Sequence, residues 1–324
     1  MSVGTATSRP RAGSAAEPWH SKLMLRRRIL AAAPGLLLSE RANRFLRPCA
    51  GIITGYLAPV TPSVPAPASA VGYDTLAWHE EFDTDQGIDL MNTKAAGFNL
   101  YVNNAWPGAT LGWDHEAATP PGNIQVSGST LTLDTTISNS TNSLLNSAVT
   151  DGGLGYRGFA ASGGMGFYIE YRFQMPDSSA WAGGSFPALW LISVETFNGH
   201  LLPFVEIDLL EFNPGGFLST VHDWNLPDDN QNVIKSSLSD AYNTWGLRVL
   251  PQALNSGTGQ IRWYLNGTQF WEVTYSTGGV PSPGLYPNNR ASGLAQLESQ
   301  HFMILVGTGP TIPIKLDWIR CWTP

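Results

Sequence analysis

The chain has 324 residues with 34 Gly, 23 Pro and a formal net charge of −7. Residues 1–70 hold nine of the 18 basic residues but only two of the 25 acidic residues, so the remaining chain carries a formal charge of −14. This acidic balance argues against nucleic acid as a partner. The length after residue 70 is sufficient for one large domain with its own core.

Residues 1–70 have the composition of an export signal followed by a linker. Three arginines at 26–28 precede an apolar run at 29–38, and a second apolar stretch at 49–60 leads into a Pro/Ala-rich segment ending in Ala68-Ser69-Ala70. A basic region, a short apolar region and small residues at a cleavage site are the parts of a secretory signal. We therefore expect a secreted or periplasmic protein whose folded domain spans residues 71–324.

The start and the route of export stay open, because the extension is unusually long and charged residues separate its two apolar runs. Translation from Met24, a twin-arginine route and an unstructured cytoplasmic extension are the alternatives. Neither apolar run reaches the roughly 18 residues of a membrane span, so we expect no stable membrane insertion. If the extension is removed, Cys49 leaves with it and Cys321 has no disulfide partner within the chain.

Residues 71–324 predict an all-β fold. Short runs rich in Val, Ile, Thr, Phe and Trp are separated by Gly and Pro, and no amphipathic stretch of helical period exceeds about ten residues. This pattern is typical of a sandwich of two antiparallel sheets. The sequence contains no recognisable repeat or second domain, and we expect a monomer.

Three carboxylates lie close together in residues 204–212, Phe-Val-Glu-Ile-Asp-Leu-Leu-Glu-Phe. The alternation of polar and apolar residues predicts a strand with Glu206 and Asp208 on one face. Strict alternation would turn Glu211 to the other face. One extra residue at Leu209-Leu210, a β-bulge, would return Glu211 to the face of the other two acids.

Paired carboxylates of this kind suit glycoside hydrolysis. One carboxylate attacks the anomeric carbon, and a second, protonated one supplies a proton to the departing oxygen. A third acid nearby helps to keep one of the others protonated. Taken alone, the same residues are also compatible with the solvated face of an ordinary antiparallel strand.

The segment after these acids predicts a hairpin. Asn213-Pro214-Gly215-Gly216 has the length of a common hairpin turn, and the run 217–224 follows it. If Phe212 pairs with Phe217 and the bulge absorbs one residue, Leu218 faces Glu211, Thr220 faces Asp208 and His222 faces Glu206. In that register Thr220, His222 and Trp224 line the surface that carries the acids, although His222 could instead pack on an ordinary strand.

The acid-rich strand resembles the E-x-D-x-x-E signature of glycoside hydrolase family 16, the laminarinase, lichenase, agarase and carrageenase group. Further segments are similar to other strands of that family, in the same order, so the resemblance covers about residues 73–324. These segments are 76–83, 166–176, 186–191, 242–249, 261–267 and 316–320.

The resemblance implies a concanavalin-like jelly roll with a concave cleft for sugar and a retaining double-displacement mechanism. It makes Glu206 the nucleophile, Glu211 the general acid/base and Asp208 the assisting carboxylate. The chain departs from the family pattern at Phe186, where relatives carry Trp, and at 304–309, where a Leu-Asn-x-Ala-x-Gly-Gly stretch is usual. These departures concern the substrate and leave the acids intact.

Aromatic side chains are the main candidates for binding substrate, because sugars stack on aromatic rings. The resemblance places Trp190 on the cleft face, and Phe204 shares the face of Glu206 at a position where relatives often carry Trp. Three other tryptophans lie in Gly/Pro-rich loops that could form cleft walls, namely Trp106, Trp113 and Trp181. Arg157, in the loop before the strand that contains Tyr168, could bind a sugar hydroxyl, with a surface salt bridge as the alternative.

In several relatives the residue that matches Asp317 helps to bind a structural calcium, so Asp317 is a candidate calcium ligand. Calcium prefers six to eight oxygen ligands, and a pairing of Asp317 with Arg320 or a backbone amide is the alternative. We expect no cofactor to be required.

The sequence thus predicts a retaining endo-acting hydrolase of β-1,3- or mixed β-1,3/1,4-glucan. A transglycosylase, or a hydrolase of an agar-like or bacterial exopolysaccharide, is the alternative among enzymes. A carbohydrate-binding lectin on the same sandwich is the alternative outside enzymes, although a lectin has no use for a buried trio of acids. The polysaccharide and its linkage stay open.

Overall fold

The computed structural model describes residues 61–102, 119–135, 143–150, 155–175, 187–196, 205–213, 216–223, 230–235, 240–275, 294–309 and 312–324. Apart from short 3₁₀ turns, its elements in chain order are α1 (Ala66–Ser69), β1 (Thr75–Glu80), β2 (Ile88–Asp89), β3 (Leu100–Tyr101), β4 (Ile124–Val126), β5 (Leu131–Leu133), β6 (Ser143–Asn146), β7 (Ala148–Thr150), β8 (Tyr156–Gly158), β9 (Ala161–Ser162), β10 (Phe167–Gln174), β11 (Ala188–Ser193), β12 (Val205–Asn213), β13 (Gly216–Asp223), β14 (Asn230–Lys235), β15 (Asn243–Leu250), β16 (Gly259–Leu265), β17 (Thr268–Tyr275), β18 (His301–Thr308) and β19 (Ile314–Thr323).

These strands form two large sheets, as the sequence predicted. The first sheet has the order β17-β16-β15-β10-β19-β5-β4, with β1 also paired to β19. The second has the order β14-β13-β12-β11-β18-β6-β3-β2, with β9 also paired to β18, and β7 and β8 pair with each other. Within the described residues every pairing is antiparallel except that of β2 with β3. The architecture is the predicted jelly-roll sandwich.

The main apolar core combines residues of both sheets. Val205 and Ile207 of β12 are fully buried in it, together with Leu247 of β15 and Ile261 of β16. Because side chains alternate along a strand, this leaves Glu206 and the other polar positions of β12 on the face that points away from the first sheet. The sandwich therefore supplies a rigid support beneath the acids.

Described residues before position 71 pack against the sandwich. Ala68 in α1 and Tyr73 are fully buried against Tyr168 and other residues of the first sheet. Small apolar side chains of the predicted linker thus pack against the domain. Residues 1–60 lie outside the described residues.

The buried guanidinium of Arg248 in β15 also ties the N-terminal segment to the sandwich. Its Nη1 donates to the carbonyl of Pro67 over 3.1 Å, and its Nη2 donates to Gln260 over 3.2 Å. Arg248 is only 3 % exposed, so these bonds replace lost water. The segment 61–74 is therefore part of the folded domain.

Cys321 lies in β19, where it is buried and has a free thiol. Cys49 falls outside the described residues. No helix in the described part of the chain combines the length and the apolar character needed to cross a membrane.

Candidate active site

A β-bulge in β12 defines the site. Asp208 pairs with Thr220 of β13 and Glu211 pairs with Leu218, so Leu209 and Leu210 together oppose the single residue Ser219. The bulge lies where the alternation of the three acids predicted it. The predicted hairpin register is also confirmed, since Phe212 pairs with Phe217 and His222 pairs with Glu206.

The bulge brings Glu211 to the face of Asp208. Leu209 and Leu210 are both fully buried in the core, so the strand takes two successive inward positions before Glu211. Oε2 of Glu211 lies 3.8 Å from Nε2 of His222, and the same nitrogen lies 2.8 Å from Oδ2 of Asp208. The two acids therefore meet around one imidazole.

The exposure of the acids shows where the site opens. Glu206 and Asp208 are only 3 % and 1 % exposed. The side chains of His222 and Glu211 are more accessible, with exposed fractions of 14 % and 15 %. A molecule entering from solvent therefore meets Glu211 and His222 first.

Thr220 and His222 of β13 hold the acids in place. The Thr220 hydroxyl donates to Oε2 of Glu211 over 3.4 Å. Nε2 of His222 lies only 2.8 Å from Oδ2 of Asp208, so the imidazole and this carboxyl group are in direct polar contact. The predicted cleft residues of β13 thus lie beside the acids.

The charges of the site are strongly coupled. Burial raises the pKa of Asp208 well above its usual value, the charges of Glu211 and Glu206 raise it further, and His222 opposes this shift. Burial lowers the pKa of His222, but contacts with Asp208 and Glu211 and the charges of Asp208 and Glu206 outweigh burial and raise it to about 11. The carboxylates around His222 therefore favour its protonated form.

The same side chains have the spacing of a metal site. Ligand atoms of Asp208, Glu211 and His222 lie within 4.8 Å of one another. A protonated imidazole has no lone pair to offer a metal ion. Because the pKa of His222 is raised, a metal ion would have to displace the imidazole proton in order to bind there.

Trp190 of β11 lies directly beside the acids, since it pairs with Asp208 across the two strands. Its half-buried ring rests against Gly307 of β18, where a Cβ atom would come within 3.1 Å of Cη2. Its Nε1 is buried and has no hydrogen-bond partner in the described residues. The predicted contact of Trp190 with substrate stays a prediction.

Arg157 lies in the short strand β8 rather than in a loop. Its Nη1 donates to the carbonyl of Lys94 over 2.5 Å at the exposed surface. Binding of a sugar hydroxyl by Arg157 stays a prediction. The other aromatic candidates lie outside the described residues, namely Phe204, Trp106, Trp113, Trp181 and Trp224.

Asp317 of β19 forms an ion pair with Arg172, whose Nε lies 2.8 Å from Oδ2. The alternative partner Arg320 instead binds both carboxylate oxygens of Glu81, at 2.7 and 2.8 Å. A guanidinium beside the Asp317 carboxylate disfavours a second cation there. Calcium binding at Asp317 stays a prediction.

Two residues at the bulge escaped the sequence analysis. The indole Nε1 of Trp263 in β16 donates to the backbone carbonyl of Asp208 over 2.8 Å. The Ser219 hydroxyl donates to the carbonyl of Leu209 over 2.6 Å. The hairpin register alone could have indicated Ser219, which is the residue opposite the bulge. The contact of Trp263 crosses between sheets, and no local pattern signals it.

Neither the known protein-family models nor the curated proteins include a match to this chain. Solved structures do resemble it. A non-specific endo-β-1,3(4)-glucanase from family GH16, crystallised with 1,3-β-D-cellotriosyl-glucose, is 13 % identical, with a TM-score of 0.52 over 77 % of this chain and 95 % of that chain. An endo-1,3-β-glucanase from Streptomyces sioyaensis is also 13 % identical, with a TM-score of 0.52 over 77 % of this chain and 97 % of that one. The chain therefore has the fold of these endo-glucanases.

Proposed function

We propose that the protein is a retaining β-glycoside hydrolase of the family 16 type that cuts within β-1,3- or mixed β-1,3/1,4-glucan chains. The observation that carries the proposal is the bulge in β12, which turns Glu211 toward Asp208 and His222. A strand that only needed a solvated polar face would have no reason to interrupt its ladder at this point. The glucanase structures of the same fold support the choice of substrate class.

In the first step, a carboxylate oxygen of Glu206 attacks the anomeric carbon while Glu211 gives its proton to the glycosidic oxygen. The bond from the anomeric carbon to that oxygen breaks, and a covalent ester with Glu206 forms. The more exposed position of Glu211 suits this role, because its proton must reach a leaving group that enters from solvent.

In the second step, Glu211 accepts a proton from water, and the water oxygen displaces Glu206 from the anomeric carbon. Two inversions retain the β configuration. The raised pKa values of Asp208 and His222 both favour retention of protons beside Glu211 and Glu206, which limits the negative charge of the site.

Several further features belong to the same proposal. The enzyme acts as a monomer, needs no cofactor, and reaches its polysaccharide after export from the cytoplasm. Trp190 contributes a stacking surface beside Asp208. A lectin is the weaker reading, because sugar binding alone does not require a bulge that brings Glu211 to Asp208 and His222.

The experiment is to incubate the protein with laminarin, lichenan, agarose and a β-1,4-glucan and to follow the anomeric protons by NMR. We expect new β-anomeric reducing ends on laminarin or lichenan, before mutarotation, together with a rapid fall in viscosity. An initial α-anomer would contradict the retaining mechanism. Binding of glucan without any cleavage would favour the lectin.

A further inference from the structure

We propose that Trp263 and Ser219 are positioning residues that fix the bulge in β12 and thereby hold Glu211 on the same face as Asp208. The structural part of this inference stands on the contacts of the bulge. Its catalytic consequence rests on the proposed function.

A regular strand without the bulge is the alternative conformation of β12. In a regular strand, Leu210 would face outward and Glu211 would enter the apolar core, because each shift by one residue reverses every side chain. The observed strand instead buries both Leu209 and Leu210 and frees Glu211. Burial of a second leucine favours the bulge, but it does not satisfy the backbone carbonyls that the interrupted ladder leaves behind.

Trp263, which lies in the opposite sheet, donates a hydrogen bond to the backbone carbonyl of Asp208. Its Nε1 donates to Asp208 over 2.8 Å, and the residue is fully buried. Its ring is held by Trp271, with ring centroids 4.1 Å apart. If the bulge moved, both the indole N–H and the Asp208 carbonyl would lose their partner inside the core, which is costly for buried polar groups.

Ser219 of the same hairpin donates a hydrogen bond to the backbone carbonyl of Leu209. It is the one residue of β13 opposite Leu209 and Leu210, and its hydroxyl donates to Leu209 over 2.6 Å. Ser219 is fully buried and takes an inward position between Phe217 and Val221. The hydroxyl at this inward, otherwise apolar position therefore gives the Leu209 carbonyl a hydrogen-bond donor directly beside the bulge.

The chain offers a matched control for Trp263. Trp245 of β15, the neighbouring strand, is also buried in the core, where its ring packs edge-on against Phe217 at 4.6 Å. Its Nε1 has no hydrogen-bond partner among the described residues. Exchange of either Trp for Phe removes similar volume, but only Trp263→Phe removes a bond to the bulge.

The experiment compares Trp263→Phe, Ser219→Ala, Trp245→Phe and the unchanged protein on two substrates. One is laminarin, and the other is a 2,4-dinitrophenyl β-glucoside of a short glucan, whose leaving group needs no proton. For Trp263→Phe and Ser219→Ala we expect kcat/KM on laminarin to fall about tenfold or more, with kcat/KM on the aryl substrate within about threefold of the unchanged protein, because kcat/KM of the aryl substrate reports only the first step. Ser219→Thr should restore kcat/KM on laminarin because it keeps the hydroxyl.

Trp245→Phe should lower the melting temperature less than Trp263→Phe, because it removes no hydrogen bond, and should leave the ratio of the two activities unchanged. An equal ratio in Trp263→Phe and Trp245→Phe would overturn the proposal. A crystal structure of Trp263→Phe decides the structural part even if the protein cleaves no glycan. We expect Glu211 to be displaced from Asp208 relative to Trp245→Phe, and an unmoved Glu211 would overturn the inference whatever the activity.

Discussion

Glu211→Gln tests the role of the general acid/base. Gln has nearly the shape of Glu, and its side-chain oxygen can still accept the hydrogen bond from the Thr220 hydroxyl. That bond is already long, at 3.4 Å. We therefore expect the free energy of unfolding to change by less than about 1 kcal/mol. The amide cannot give a proton to the leaving oxygen, and general acid catalysis contributes about 10²- to 10⁴-fold, or about 2.7 to 5.4 kcal/mol of the activation barrier.

The assay measures kcat/KM of Glu211→Gln on laminarin and on a 2,4-dinitrophenyl glycoside across the pH range. On laminarin we expect a loss of about 10²-fold or more, and the alkaline limb of the pH profile should disappear because no acid remains to be deprotonated. On the aryl substrate, kcat/KM of Glu211→Gln should stay close to that of the unchanged enzyme, because the first step then needs no proton. Equal losses on both substrates would refute the assignment of Glu211.

Three further predictions follow from the other side chains. Glu206→Gln should abolish turnover while leaving the melting temperature unchanged, whereas azide should restore cleavage to Glu206→Gly and give the inverted glycosyl azide; activity that survives in Glu206→Gln would rule out this nucleophile. His222→Gln should raise the pKa of Asp208 further, because the mutation removes a nearby cation, and the labelled Asp208 carboxyl should therefore titrate at higher pH in ¹³C NMR; an unshifted titration would separate His222 from Asp208. Arg248→Met should destabilise the protein by about 1 to 3 kcal/mol in urea unfolding by removing its bond to Pro67, with kcat/KM unchanged, because Arg248 lies on the first sheet away from the acids; a loss of activity without loss of stability would contradict this.

The sequence was sufficient for the bulge and the hairpin because both depend on local rules. Three acids separated by apolar residues can share one face only if an extra residue enters between Asp208 and Glu211. A four-residue turn then determines which residues of β13 face them, and the observed pairs agree.

The parts that sequence reasoning missed depend on contacts between distant segments. The composition of the segment around Ala68 is that of a linker, yet Pro67 supplies a carbonyl to Arg248, 181 residues away. Trp263 reaches Asp208 across the core from a strand 55 residues away. Asp317 pairs with Arg172 on the neighbouring strand instead of Arg320 on its own strand. Each of these contacts depends on how distant segments pack together in the fold. The periodicity of the sequence therefore does not indicate it.

If Glu206 is the nucleophile, it forms a covalent bond to the sugar during each turnover. The most direct measurement is to incubate the protein with a 2-deoxy-2-fluoro β-laminaribiosyl fluoride, digest it, and sequence the labelled peptide by mass spectrometry. We predict one sugar per protein, attached through an ester at Glu206, and faster loss of the label when laminaribiose is added as acceptor. A label on another residue, or a protein that hydrolyses laminarin without becoming labelled, would contradict the account.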